Sequence, residues 1–513
     1  MRERSVSSRP AARVSARERS VLRRGGVLRR AGVLLAMTGM VSGCSWIFGT
    51  DDGNKGDEKP VLSLFGSGSK MISGYVGNVV ADEPQAALAA MTVLQRGGNA
   101  ADAATALGLA LSVTLPSRAS LGAGGACVAW RPGDRDGGKA FLFLPTGDAP
   151  ADRVQGTTTH ADRPASVPML ARGLFLMQLS HGSVDFAELT RPAIQLARNG
   201  IEVGSQLAAD LDVVQSPLLA DEGARKIFAR PNGTVMKAGD MLLQRYLAGT
   251  LERIRSAGPG DLYTGSLAQV VISANATTGA GLTMAGIRTS VPVVATPLTV
   301  TVGEMQVSFV PPPADGGYGM AVAWKALMNG RSSSDLGRQA VAGWRASEAK
   351  ASVGTLTARA QSLLQSGHIP TGGGSSLPDL PASTSFAVAD RKGGAVACAI
   401  SMDNLFGTGR VAGSTGIVLG ASALHRPRPI LPAAIAHEDG RFLAAATASG
   451  QADAADAAAA ALANGLQGQI KATTSMGRAN VIACRGGLPG DGRRCQSWVD
   501  PRGSGYGTGA TQD

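Results

Sequence analysis

The chain has 513 residues, of which 44% are hydrophobic and only 4% aromatic, with 69 glycines, so a large core has to be built from small side chains that let backbones approach closely. A formal net charge of +11 would suit a nucleic-acid binder, but residues 1–43 hold ten Arg and two Glu, a net +8, leaving +3 for the remainder. The basic excess is a leader and not a binding face, and no nucleic-acid partner is expected.

That leader is Arg-rich to Arg30, then apolar from Ala31 to Val41, and closes on Val-Ser-Gly-Cys at 41–44. The apolar run is too short to span a bilayer and has the proportions of a secretory signal core. Residues 1–43 are expected to be a signal peptide, with paired arginines (Arg23-Arg24, Arg29-Arg30) hinting at a twin-arginine route. Val-Ser-Gly-Cys resembles a bacterial lipobox, which would make Cys44 the lipidated start of a mature chain anchored to a membrane on the periplasmic side. A plain secretory signal with an incidental cysteine is the alternative. Residues 44–73, with a run of Asp, Gly, Lys and Glu at 51–59, have the composition of a flexible tether.

Helical periodicity begins at Glu83 and runs to Arg96, Gly97-Gly98-Asn99 interrupts it, and a second helix is expected over Ala100–Val113. The glycine-rich run 121–130 suits closely approaching strands. No phosphate-binding G-x-x-x-x-G-K-[ST] pattern follows it, and Gly407–Gly413 lacks dinucleotide spacing, which argues against a nucleotide-dependent enzyme. Residues 165–203 read as two helices joined by a polar turn, and a Gly/Pro-rich segment at 368–382 leads into three hydroxyl residues, Ser383, Thr384 and Ser385. An alternating apolar run, an Asp-Arg-Lys-Gly-Gly turn at 390–394 and a second run over Ala395–Ile400 form the pattern of a hairpin. A hydroxyl at the head of such a strand suits a nucleophile freed as a new N-terminus, whose α-amine then acts as base; an ordinary edge hairpin has the same pattern. Residues 426–466 follow as strand, turn, strand and an Ala-rich helix, and backbone amides at Ser449-Gly450, just ahead of that helix, could bind a developing oxyanion.

Of the five cysteines, Cys484 and Cys495 flank a short Gly-Pro-Gly-rich loop and are expected to close it as a disulfide, whereas Cys127 and Cys398, in apolar runs, are expected to be buried thiols. No cysteine pair has zinc-ligand spacing and the five histidines are scattered, so neither metal nor cofactor is expected.

The stretch from Ser383 to Leu419 resembles the small-subunit start of the γ-glutamyltransferase (glutathione hydrolase) family of N-terminal-nucleophile hydrolases. That family's Thr-Thr-His-x-Ser-Val-x-Asp, Gly-Asn-Ala-Val and Phe-Gly-Ser/Thr-Gly are matched here by Ser-Thr-Ser-Phe-Ala-Val-Ala-Asp, Gly-Gly-Ala-Val and Phe-Gly-Thr-Gly at the same spacing. Residues 95–125, 165–203, 247–272, the Pro-Pro-Pro-Ala-Asp-Gly-Gly at 311–317 and the Asp-Pro-Arg segment at 500–509 extend the resemblance over about 74–509, thinning at 331–380. It implies an α+β fold, a four-layer αββα sandwich, cut by the chain itself between Ala382 and Ser383 into a large-subunit-like region (74–382) and a small-subunit-like region (383–513). It also implies Ser383 as nucleophile, with Thr384 the alternative if the register is one residue off, Ser401 as the neighbouring helper hydroxyl, and Ser449-Gly450 as the oxyanion hole. The implied substrates are γ-glutamyl amides such as glutathione, with acyl transfer to water or an amino acid.

The charged substrate contacts depart from the family pattern. The family's carboxylate-binding Arg falls on Thr146 and its Asn on Asp403, residues 420–424 lack the expected acid, and Arg426–Pro432 lacks the Ser-Ser-Met. Two readings follow: an exported family member with weak or altered acyl-transfer specificity, or a catalytically inactive one serving as an envelope binding or scaffold protein.

Overall fold

Alternation of small and β-branched residues along the strands is what generates the layers. The computed structural model describes residues 71–509 apart from 147–162, 332–334, 349, 371–376, 378–381, 423–426, 451 and 470–476. The leader, Cys44, the tether up to residue 70, most of the segment ahead of Ala382, and residues 147–150 and 423–424 of the expected substrate-binding stretches lie outside the described residues. All the residues described belong to one compact unit, Leu62–Asp513. No helix among them is long and apolar enough to cross a membrane.

One sheet contains β1 (Gly77–Ala81), β2 (Gly124–Trp130), β3 (Lys139–Phe143) and β4 (Val293–Ala295). The other begins with β5 (Leu298–Val302) and β6 (Met305–Phe309). The hairpin strands β7 (Ser383–Asp390) and β8 (Ala395–Ser401) then return to the first sheet. β9 (Ala433–Glu438), β10 (Arg441–Ser449), β11 (Arg478–Leu488) and β12 (Cys495–Val499) complete the second, and β13 (Tyr506–Thr508) closes the first. The strand orders are β13-β1-β7-β8-β2-β3-β4 and β12-β11-β10-β9-β6-β5. The hairpin is therefore central, not an edge: every residue of β7 and β8 is buried. Strands from both the large- and small-subunit-like regions share each of these two sheets, and a separate two-stranded sheet pairs Ile201–Glu202 with Met241–Leu242.

Between the sheets lie mainly small side chains, among them Ala126, Ala387, Ala397, Ala399, Ala433 and Ala445. The outer face of the first sheet packs on α1 (Pro84–Gln95), α2 (Ala100–Thr114) and α3 (Leu170–His181), with α4 (Arg191–Asn199) packed on α2. The outer face of the second packs on α6 (Gly316–Met328), on α9 (Ala454–Leu466), against which α7 (Leu336–Ala346) lies, and on α8 (Val353–Ser366). This is the four-layer αββα sandwich. A further helix, α5 (Ser205–Leu219), is kinked at Val214 and carries residues that reach the candidate site. Helix α2 is buried along its whole length and is capped by Asn99, whose side chain accepts from Ala101 N–H and Asp102 N–H while Asp102 returns a bond to Asn99 N–H.

The two cysteines expected to be free thiols are not free. Cys127 and Cys398 are direct partners across β2 and β8, with Cα atoms 4.1 Å apart, and form a disulfide beneath the helices. Both lie in apolar strands, as the sequence indicates, but strand register brings together positions separated by 271 residues. Cys484 and Cys495 form a second disulfide between β11 and β12.

The price of such close layers is intolerance of added volume. A Cβ at Gly173, on α3, would fall 2.2 Å from Cγ of Phe143 on β3. Gly173→Ala is expected to destabilise the fold by about 1–3 kcal/mol, measured as a lowered denaturation midpoint with an unchanged slope.

Candidate active site

The antiparallel register places Ser383, the first residue of β7, opposite Ser401, the last of β8, and Ser401 in turn opposite Gly124. In the other sheet, Ser449 ends β10 opposite Arg478 at the start of β11. The site thus gathers at one end of both sheets, where strand termini leave backbone groups available for other partners. Alternation along β7 sends Ser383 and Ser385 towards the second sheet and Thr384 towards the opposite face.

Gly450 N–H donates to Ser383 Oγ at 3.0 Å, while that hydroxyl lies 3.4 Å from the Gly450 carbonyl. Gly450 has φ +119°, a conformation that favours glycine and turns its amide towards the hydroxyl. One residue earlier, the Ala382 carbonyl accepts two hydrogen bonds, from Ser401 Oγ–H and from Met402 N–H, each at 3.1 Å. Asp403 N–H donates to Ser401 Oγ at 2.9 Å, which orients that hydroxyl so that its own proton faces Ala382. The residues Ala382, Ser383, Ser401 and Gly450 therefore meet. Ser449 is buried beside them, and its contribution to the geometry is the strand end that positions Gly450.

Thr384 Oγ donates to Asp82 at 3.2 Å, on the face away from Gly450. Asp403 follows the Ser401 strand end with φ +61°, a left-handed conformation that Asp tolerates better than most residues. Thr146 has an exposed side chain and is held through its carbonyl, which accepts from Val167 N–H at 2.9 Å.

Two groups that sequence reasoning missed complete the site. Asp82 accepts from Ser385 N–H (2.9 Å) and Thr384 Oγ–H through one oxygen, and from Asn480 Nδ2–H (2.8 Å) through the other. Asn480, on β11, also donates to the Ser385 carbonyl, so the carboxylate and the amide tie the start of β7 to the second sheet. The second is Arg118, buried next to Asp210 of α5, with Nη1 donating to the Ser383 carbonyl at 3.1 Å. Neither residue type in its local sequence carries a signal: Arg118 sits in a Leu-Pro-Ser-Arg connection and Asp210 in an ordinary helix.

A cavity of about 660 Å³ opens beside Asn404, just after the Ser401–Asp403 segment, with Arg163, Leu218, Phe406, Thr408 and Ser422 on its walls. Ser383 does not line it. Arg163 Nη1 donates to the Thr408 carbonyl at 3.0 Å. No group of three or more His, Cys, Asp or Glu among the described residues could hold a metal ion.

A family model for Gamma-glutamyltranspeptidase matches residues 86–350, just over half of the chain. The chain belongs to the γ-glutamyltranspeptidase family, and its αββα sandwich is that of the N-terminal-nucleophile hydrolases. It is 26% identical over 385 residues to a glutathione hydrolase proenzyme of Escherichia coli, covering 67% of this chain and 65% of that one. It is 29% identical over 276 residues to glutathione hydrolase 3 of Arabidopsis thaliana, covering 53% and 43%. The chain thus spans less than two-thirds of either relative. Among solved structures, a cephalosporin acylase from Bacillus halodurans superposes with a TM-score of 0.64 over 89% of this chain and 99% of that one, at 18% identity, a likeness of fold.

Asp82→Ala would leave the buried Ser385 amide and Thr384 hydroxyl without the acceptor they share. The expected loss is about 2–4 kcal/mol, read from chemical denaturation, with Asp82→Asn intermediate because it keeps one acceptor oxygen.

Proposed function

We propose that this protein is a self-cleaving acyltransferase or amidase of the γ-glutamyltranspeptidase family, with Ser383 as nucleophile and an acyl specificity altered from that of γ-glutamyl enzymes. The observation that carries the reading is the Ala382 carbonyl, already held by Ser401 Oγ–H and Met402 N–H next to the Ser383 hydroxyl. Two donors on one carbonyl are what an oxyanion requires as it develops. In the proposed step, Ser383 Oγ adds to the Ala382 carbonyl carbon and negative charge collects on the oxygen facing those donors. The Ala382–Ser383 C–N bond then breaks, and the hydroxyl proton passes to the departing nitrogen. The product is an ester between Ala382 and Ser383 Oγ with a free α-amine. Water adds to the ester, leaving a carboxylate on Ala382 and restoring the Ser383 hydroxyl.

The same hydroxyl then serves a second reaction, with the new α-amine accepting its proton as Oγ attacks a substrate amide and returning it to the leaving amine. Gly450 N–H is already directed at this oxygen. The orientation of Thr384 towards Asp82 favours Ser383 over it as the nucleophile. On the substrate side, a carboxylate in a closed pocket calls for a charged fork, whereas Thr146 is neutral and Asp403 has the wrong sign. Loss of such a contact costs about 2–5 kcal/mol of binding, so glutathione should be a poor ligand even of the cut protein.

Intact-mass measurement on the purified chain, with Ser383→Ala and Ser401→Ala beside it, tests the cleavage. Once the Cys127–Cys398 disulfide is reduced, two fragments meeting at Ala382–Ser383 are expected, none from Ser383→Ala, and release slowed by roughly 10²-fold in Ser401→Ala, the cost of one oxyanion donor. A wild-type chain that stays whole on long incubation would favour the non-catalytic reading. Hydrolysis of a chromogenic γ-glutamyl anilide should be far below that of a γ-glutamyl enzyme, and Thr146→Arg should restore little while Asp403 remains. Vigorous turnover abolished by Ser383→Ala would instead establish an ordinary γ-glutamyl specificity.

Export and lipid attachment at Cys44 form a further part of the proposal, supported by the Arg-rich start, the short apolar run and Val-Ser-Gly-Cys. Cys44→Ala should move the protein from the membrane fraction to the soluble periplasm; continued membrane association of that variant counts against the anchor.

A further inference from the structure

We infer that Arg118, aimed by Asp210, is a positioning residue that holds the amino-terminal end of β7 in place after the chain has been cut, an inference that rests on the self-cleavage proposed above. Arg118 and Asp210 are 92 residues apart in sequence and almost wholly withdrawn from solvent, with side chains 4% and 5% exposed. Nε and Nη2 of Arg118 donate to the two oxygens of Asp210, both at 2.8 Å. The carboxylate is itself fixed, by Ser117 Oγ–H at 2.7 Å and Gln206 Nε2–H at 2.8 Å. With two sides of the planar fork so occupied, the remaining Nη1 is directed to the Ser383 carbonyl, at 3.1 Å.

The contacts continue round the nucleophile. Gln206 Oε1 accepts from Arg478 Nη1–H, and Arg478 is the strand partner of Ser449, which precedes Gly450. Gly450 N–H is bound to Ser383 Oγ. Arg118 on the carbonyl and Gly450 on the hydroxyl are therefore two arms of one connected network, and together they fix both the backbone and the reactive oxygen of the same residue.

The need for that network changes when the peptide bond breaks. In the intact chain Ser383 is held from behind by Ala382, whose carbonyl is bound at Ser401 and Met402. Once cut, Ser383 is a chain terminus at the first register position of β7, and chain termini fray. A buried ion pair adds little net stability over an apolar one, but this one supplies direction. Arg118→Lys keeps the charge but loses the planar fork, so pairing with Asp210 no longer fixes the direction of a donor towards the Ser383 carbonyl.

The test uses the full chain and an alkyl fluorophosphonate, an uncharged probe that needs no charged substrate pocket. Ser383 Oγ displaces fluoride from phosphorus while the α-amine takes the hydroxyl proton, and the adduct is read by mass at Ser383. Arg118→Lys should slow self-cleavage less than it slows labelling, because Ala382 still holds Ser383 in the uncut chain. Its maximal labelling rate should fall about 10-fold or more with the half-saturating probe concentration unchanged, the loss expected for a misplaced nucleophile. Labelling as fast as wild type overturns the inference, as does a parallel fall in cleavage, labelling and thermal midpoint, which marks a merely structural pair. If Arg118→Lys does not fold, Gln206→Leu removes the support of Asp210 and the link to Arg478 while leaving the Arg118–Asp210 pair in place: slower labelling at an unchanged midpoint upholds the inference, and wild-type labelling overturns it. A wild-type chain that remains uncut removes the cleavage proposal itself and this inference with it, a failure visible before any variant is compared.

Discussion

The register of one hairpin decides whether the site exists. Ser383 meets Ser401 only because β7 and β8 pair from the turn at Asp390–Gly394 without a slip, and a shift of one residue would send every side chain of β7 to the opposite face. The turn is fixed accordingly. The Asp390 carboxylate accepts from Lys392 N–H, Gly394 N–H and, across the layer, Ala100 N–H at the start of α2. Desolvation is the largest influence on this carboxyl and raises its pKa, against the lowering effect of those three amides. At the other end, Asp82 and Asn480 secure Ser385. The hairpin is thus clamped at both ends, and the geometry at the Ala382 carbonyl follows from constraints about eight residues away.

Much of this was legible in the sequence. The helices expected over Glu83–Arg96 and Ala100–Val113 occupy Pro84–Gln95 and Ala100–Thr114, and the strand-turn-strand-helix pattern from residue 426 becomes β9, β10 and α9. These elements announce themselves through local periodicity, glycine breaks and caps. The glycines that match the family also carried the fold, because a glycine requirement is a backbone requirement and survives changes in chemistry. What stayed hidden depends on pairing over long distances. Arg118 and Asp210 look like ordinary solvated charges until the fold buries them together, and Cys127 and Cys398 look like two separate apolar-strand cysteines until the β2–β8 register makes them partners.

The reactive and the selective parts of the site have separate physical origins. The donors at Ala382 and Ser383 come largely from backbone, Met402 N–H and Gly450 N–H, with one hydroxyl added by Ser401. Such a frame depends on strand ends and tolerates substitution of the surrounding side chains. In the proposed function, selection among acyl groups depends instead on individual side chains, and at Thr146 and Asp403 this chain departs from the residues of the family pattern. Divergence of specificity on a fixed reactive frame needs only those positions to change.

The Cys127–Cys398 bond joins residues on opposite sides of position 383 in the chain. Were the backbone opened there, the two pieces would remain one covalent molecule, with the cross-link buried under helix α2 where a reductant reaches it only through unfolding. Unfolding of the oxidised form would then be unimolecular, and its midpoint would not depend on protein concentration. Reduction would turn the same transition into a dissociation, with stability falling on dilution.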